Sequence, residues 1–243
     1  MTRSGPQAPK QRLSAIVIQT ERLAPTKETL AALVEHAPDP VEVSTMGIAA
    51  ANMAVRQAEP GLVCLLDARV RVQPGWFEPL LARLDAPAKH GGVIAATPCV
   101  AADDGSVIEA GTMLGQGGAW YSVGGGVDAA DPTMRFGRPV DGSSRLVLLE
   151  QDAFLRVGGL DERFATFPAA AMDLCLRLAE HGGTVWYEPS SRVMWVPPPR
   201  RRLRGAGPRG GPGESARTAA RGARSAPARR GPRQVSPSCT SDA

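Results

Sequence analysis

The sequence predicts an α/β domain over residues 13–195, with a mixed, mostly parallel sheet wound with helices. Three observations predict it. Short β-branched runs alternate with helical segments through the first hundred residues, which is the pattern of βα units. Residues 62–66 (LVCLL) form an unbroken apolar run, the mark of a central strand covered on both faces. After Trp195 the large apolar side chains almost vanish, so the core ends there.

Each element follows from its local pattern. LSAIVIQ at 13–19 reads as a buried strand. Residues 25–35 place Leu30, Leu33 and Val34 at helical spacing behind Thr26, an N-cap type. Residues 41–44 read as a second strand, and 47–58 (GIAAANMAVRQA) as an Ala-rich helix. The Pro60-Gly61 turn leads into LVCLLDARVRV, whose apolar run stops at Asp67. Pro74-Gly75 opens a helix that runs to Leu84. Residues 93–100 read as a strand, followed by an Asp104-Gly105 turn and a hairpin arm, SVIEAG. Residues 111–142, with GQGGAWYSVGGG, are expected to be a flexible loop with little regular structure. Residues 146–149 form a strand, and 153–157 a short helix stopped by Gly158-Gly159, which free the backbone for a turn. Residues 172–180 are a helix ended by Gly182-Gly183, and 184–187 and 191–195 are two closing strands. No segment repeats.

The flanks differ in kind. Residues 1–12 are a polar lead-in, expected to be disordered. Residues 196–243 are rich in Arg, Gly and Pro and cannot bury enough surface to offset the entropy of ordering, so they too are expected to be disordered. The formal charge of +4 hides this division. From Arg200 onward there are eleven Arg against Glu214 and Asp242, which leaves the rest of the chain mildly acidic. Contact with an anionic polymer or a membrane surface is therefore assigned to the tail alone. The tail has a second reading, as unselected sequence at a truncated or frameshifted end. The 25 Arg against three Lys fit GC-rich coding.

The lead-in has no apolar stretch behind its charges, and no run approaches the ~18 apolar residues of a membrane span. A cytoplasmic location is expected, peripheral at the inner membrane face at most. The four cysteines form no CxxC pair, and Cys64 and Cys175 sit in apolar runs, which points to a reducing compartment and no zinc site. His36, His90 and His181 lie far apart in sequence and are assigned no ligand role.

Asp67 is the first residue that could carry chemistry. A carboxylate at the end of a buried strand, at the mouth of a wound sheet, is placed either to hold a metal–diphosphate or to cap the strand end.

Seven motifs in order carry a resemblance: AIVIQ, GIAAANMAV, LVCLLDARVRVQPGWFEPLL, DGSVIEAG, VGGLDERF, DLCLRLAEHGG and VWYEPSSRV. Together they resemble the family 2 glycosyltransferases with the Rossmann-like GT-A fold, over about residues 13–195. VGGLDERF followed by DLCLRL is the most specific part. The resemblance implies transfer of a sugar, of hexosyl type, from a nucleoside-diphosphate donor to a hydroxyl of a glycan, lipid or polysaccharide. It implies inversion, a carboxylate base and a divalent cation, Mg²⁺ or Mn²⁺, on the diphosphate. Carried over residue by residue, it assigns Gly47, Asn52, Asp67 and Arg69 to the nucleotide sugar and Asp67 to the metal. It assigns Asp161 and Glu162 to the acceptor side, and Asp173 to catalysis. Asn52 also reads as a hydrogen-bond partner of a neighbouring loop, and Asp161 and Glu162 as pins for the loop before a helix. Trp120 and Tyr121 read either as a stacking surface or as a loop anchor. Arg177 reads as the ion-pair partner of a nearby acid.

Four positions depart from the family pattern. Its DxD reads Asp67-Ala68-Arg69, so an arginine replaces the second acid; its planar fork fits phosphate oxygens. Its E-D-x-D-L reads Ala170-Ala171-Met172-Asp173-Leu174, and its closing His is Trp195. The acidic stretch after the second strand is missing between Val43 and Gly47. The apolar framework persists while polar positions change. That suits an enzyme relying on Asp173, or a non-catalytic member, a pseudoenzyme kept as a binding or scaffold domain. Both readings turn on whether Asp67 and Asp173 share a pocket.

Overall fold

The computed structural model describes residues 12–19, 27–86 and 92–197. Residues 1–11 of the lead-in and 198–243 of the tail, Cys239 among them, lie outside the described residues, as do Thr26 and His90.

The chain opens with a parallel three-strand unit. β1 (Arg12–Ile18) lies between β2 (Val41–Met46) and β3 (Gly61–Asp67), crossing over through α1 (Lys27–His36) and α2 (Ile48–Gln57). The register sets Ile18 level with both Met46 and Asp67, so the three strands end on one edge. In a wound sheet this carboxyl edge is where ligands bind. A short β4 (Val70–Val72) follows, then α3 (Phe77–Leu84), β5 (Val93–Ala101) and β6 (Val107–Glu109), which folds back on β5.

The Gly-rich stretch is more regular than its composition predicts. β7 (Thr112–Leu114) pairs with β8 (Trp120–Ser122) as a hairpin around a 3-10 turn at Gln116–Gly118, and β9 (Arg138–Val140) joins the last strand of the sheet. Its glycines serve the turns, and the strands between them are too short to show period-two alternation. β10 (Leu146–Glu150) inserts antiparallel between β3 and β5. α4 (Gln151–Arg156) and α5 (Phe167–Glu180) follow, then β11 (Thr184–Trp195). α5 begins five residues before the expected start, with Pro168 in its first turn, where proline's fixed φ favours a helix. The two expected closing strands are one, β11, with a register shift between Glu188 and Arg192 around Pro189. The main path of the sheet runs β2-β1-β3-β10-β5-β11-β4.

Alternation along the strands feeds two cores. Val63, Leu65, Val147 and Leu149 face α2, α4 and α5, packing on Ala51, Val55, Phe154, Ala170, Ala171 and Leu174. Leu62, Cys64, Leu66 and Leu148 face the other way, onto Leu33, Trp76 and Leu80 of the α1 and α3 side. β3 is buried on both faces, as its unbroken apolar run requires. Cys64 and Cys175 are fully buried, and burial raises both thiols, Cys175 to about 12, so neither is a nucleophile. No helix among the described residues is long and apolar enough to cross a membrane.

Candidate functional site

Asp67 ends β3 at the carboxyl edge, only 2% exposed. Both of its oxygens accept hydrogen bonds. Arg69 N donates to Oδ1 at 3.0 Å, and Arg145 Nη1 donates to Oδ2 at 3.2 Å. Burial raises the Asp67 carboxyl above its ordinary range, and the Arg69 amide and the Arg145 charge oppose that rise without cancelling it.

Three further groups close around this acid. Arg145 stands at the foot of β10, and its backbone oxygen accepts from Asp67 N at 2.8 Å. Its guanidinium lies 3.9 Å from the centre of the Trp195 ring, a cation–π contact. Trp195 sits opposite Val70 at the end of β11, and Val196 N donates to Arg69 O at 2.9 Å. Asp67, Arg69, Arg145 and Trp195 therefore form one group, brought from three places in the chain.

The segment before Arg145 is pinned from below. Glu109 on β6 is fully buried and accepts from Ser143 Oγ at 2.6 Å, from Ser144 N at 3.0 Å and from Ser144 Oγ. Gly142 packs on α5 so closely that a Cβ there would lie 2.8 Å from Met172 Sδ and 2.9 Å from Cys175 Cβ. The Arg145 turn thus bears directly on the helix that carries Asp173.

A divalent cation does not fit this donor set. Hard cations need several free oxygen ligands. The two oxygens of Asp67 already take protein N–H donors, the next alternate position is Arg69, and Trp195 offers no ligand atom. Among the described residues no three His, Cys, Asp or Glu side chains converge on a common point.

The second group surrounds α5. Asp173 Oδ2 takes Arg177 Nε at 2.8 Å and lies 2.7 Å from Arg177 Nη2, an i,i+4 pair. Its Oδ1 has no hydrogen-bond donor among the described residues. Arg177 also caps the turn before the helix, with Nη1 on Val157 O and Nη2 on Gly159 O at 2.7 Å. Asp161 pairs with Arg163 at 2.6 Å, which draws its carboxyl down to about 2.

Asn52 is 2% exposed and is spent on this same turn. Its Oδ1 accepts from Leu160 N at 2.8 Å, and its Nδ2 donates to Leu160 O at 2.8 Å and Glu162 Oε1 at 3.0 Å. Gly159 is obligatory beside it, with φ +81° and a Cβ position 2.5 Å from Asn52 Oδ1. Asn52 therefore makes the contact to a neighbouring loop that was the second of its two sequence readings, with both ends of its amide engaged there. Gly47 caps α2 at the end of β2, with Gln19 beside it, and as a glycine it gives the first N–H groups of that helix no side-chain cap. The acids that the family pattern would place at 170 and 171 are replaced by alanines with no exposure, in the core against β3 and β10.

Sequence reasoning missed Arg145, Glu109, Ser143 and Ser144. The faint signal was the polar GSSR directly before an apolar strand. Its meaning depends on Asp67, 78 residues earlier. A cavity of about 440 Å³ between β2 and α2 is lined by Ser14, Glu42, Ser44 and Gln57, and one of about 320 Å³ by Arg83, Glu188 and Ser190. Neither contains Asp67 or Asp173. Residues 20–26, which follow β1, lie outside the described residues.

No family model and no curated protein matches the chain. Solved structures do. GalNAc-T7, crystallised with UDP, GalNAc and Mn²⁺, aligns with 78% of this chain and 44% of its own, at 13% identity and a TM-score of 0.56. The catalytic domain of Drosophila β1,4-galactosyltransferase 7, in complex with xylobiose, aligns with 75% of this chain and 64% of its own, at 10% identity and a TM-score of 0.41. The chain spans less than half the length of the first of these. At such identity the likeness with GalNAc-T7 is one of architecture, and the described residues have the GT-A glycosyltransferase fold.

Proposed function

We propose that this chain is a nucleotide-sugar glycosyltransferase of family 2 type. The donor diphosphate lies at the carboxyl edge of β1, β2 and β3, and the acceptor lies on the α5 side. The observation that carries this reading is a buried acid, Asp67, at the carboxyl end of a central strand in a GT-A sheet, paired with an arginine that keeps part of its side chain exposed. A buried carboxylate is costly, and its retention at a ligand edge favours function over packing. The UDP in the GalNAc-T7 crystal supports a uridine nucleotide as the first donor to try.

The chemistry is a single displacement. The acceptor hydroxyl oxygen attacks the anomeric carbon and forms the new glycosidic bond. The bond from that carbon to the diphosphate oxygen breaks, and the nucleoside diphosphate leaves with the electron pair. The hydroxyl proton passes to Asp173 Oδ1, the oxygen free of donors among the described residues, while Arg177 holds Oδ2 in place. Gly47 and the start of α2, which its N-cap residue leaves without a side-chain cap, offer backbone N–H groups to an anion at the same edge.

One observation favours a second reading, a non-catalytic donor-binding domain. Ala170 and Ala171 fill the core where the family's usual base stands, leaving Asp173 as the only acid in that motif. Calorimetric titration with UDP- and GDP-sugars, followed by assay of released nucleotide over a panel of glycan and lipid acceptors, tests both. Donor binding with turnover that falls about 10²-fold or more in Asp173→Asn is the result for the enzyme. Donor binding without turnover selects the second reading, and the absence of heat with every donor removes both.

A further inference from the structure

We infer that Arg145 and Arg69 supply the positive charge facing the donor diphosphate, so that the nucleotide binds here without a divalent cation. This rests on the donor reading above.

The geometry argues it in three steps. Asp67 is a poor metal ligand because both its oxygens are engaged by N–H donors. Recruiting a cation would strip Arg145 from it and set a dication beside two guanidinium groups, since Arg69 also acts on the Asp67 charge. The positive charge is already present. Arg145 pairs with the buried acid and the Arg69 charge acts on it more weakly, which leaves a net charge of about +1 at the strand edge when Asp67 is ionised.

The arginines also have donors to spare. A guanidinium carries five N–H groups. Among the described residues, Arg145 spends one on Asp67, while its Nε and the Nε of Arg69 are buried without a partner. Buried donors without acceptors are uncommon, and an anion supplies acceptors. Arg145 keeps about a quarter of its side chain exposed, 24%, while Asp67 beneath it is sealed. The centre of the Trp195 ring lies 3.9 Å from the Arg145 guanidinium carbon, a contact that restrains the side chain before a ligand arrives. Asp67 becomes the anchor of an arginine, and the arginine takes the place that a cation would have on the diphosphate.

The test is a calorimetric titration of the full chain with UDP, once in excess EDTA and once in Mn²⁺, with inorganic pyrophosphate as a competitor. The expected result is an affinity equal within about twofold in the two buffers, with pyrophosphate displacing UDP. Arg145→Gln and Arg69→Gln should each weaken UDP about tenfold or more, the loss of one charged hydrogen bond. Arg145→Lys keeps the charge on Asp67 and should fold as the parent does, yet lose most of the affinity, because an ammonium lacks the planar fork. Binding in Mn²⁺ that vanishes in EDTA overturns the inference and leaves the donor reading standing. Unaltered UDP affinity in well-folded Arg145→Lys and Arg69→Gln also overturns it. No binding in either buffer overturns the inference together with the donor reading.

Discussion

Asp67 and Asp161 each pair with an arginine, and their carboxyls respond in opposite directions. Asp161 meets Arg163, a side chain 90% exposed, and is drawn down to about 2 by its hydrogen bonds. Asp67 meets Arg145 at the mouth of the sheet and is pushed up, because burial outweighs the pairing. The chemistry of the two pairs is the same and the solvent is not. A pair in water costs little to form and contributes little. A buried pair carries a desolvation penalty that the partner only partly offsets, so its persistence at a ligand edge points to use beyond stability. Of the two regions, the closed one around Asp67 is where donor binding is to be sought first, and the open turn around Asp161 is tested separately as the acceptor side.

The largest expected effect breaks the buried pair. Arg145→Met leaves an uncompensated acid beneath it and should cost about 3 kcal/mol in urea unfolding, whereas Arg163→Met should leave the urea midpoint where it is. Adding Asp67→Leu to Arg145→Met should return most of that loss, since apolar replacement of a buried pair is commonly neutral. Equal effects of the two arginine variants would erase the contrast.

Next comes the support of each region. Glu109→Ala removes the acceptor of both Ser143 and Ser144 and should cost roughly 3 kcal/mol, together with weaker nucleotide binding as the Arg145 turn loosens. On the other side, Asn52→Ala strands Leu160 N and O in a buried turn and should cost about 2 kcal/mol. Its effect on nucleotide affinity should be small. A large loss of affinity in Asn52→Ala would restore the direct nucleotide contact read from the sequence.

The smallest effect is the pH dependence, and it separates the two acids by sign. Asp161 has a depressed folded pKa, so its contribution is full above about pH 4 and is lost as pH falls toward about 2. Asp67 has a raised folded pKa. The folded chain then binds the proton more tightly than the unfolded chain, and stability falls as pH rises from about 4 through the raised value. Melting curves across that range should lose the acid limb in Asp161→Asn and the opposing limb in Asp67→Asn. Limbs of the same sign would contradict the assignment.

The fold was largely legible because it is written in local terms. The run at 62–66 declares a strand buried on both faces, and β3 is one. The Gly-rich segment misled, since composition speaks for turns and is silent on strands three residues long. The site was legible only in half. Asp67 announces itself as a charge that ends an apolar run. Arg145 cannot, because its significance is a contact across 78 residues that only the antiparallel insertion of β10 creates. The Asp173–Arg177 pair was readable because helical spacing alone brings it together.

That insertion of β10 between β3 and β5 also has a kinetic consequence. The parallel unit β1–β3 can pair early, but at that stage Asp67 has no counter-charge and would have to stay wet or protonated. Closure of the edge waits for a strand made some eighty residues later, a contact of high sequence separation, and such contacts are slow to form. The candidate ligand edge should therefore be among the last parts of this molecule to acquire native protection, and a fragment ending after α3 would expose it permanently.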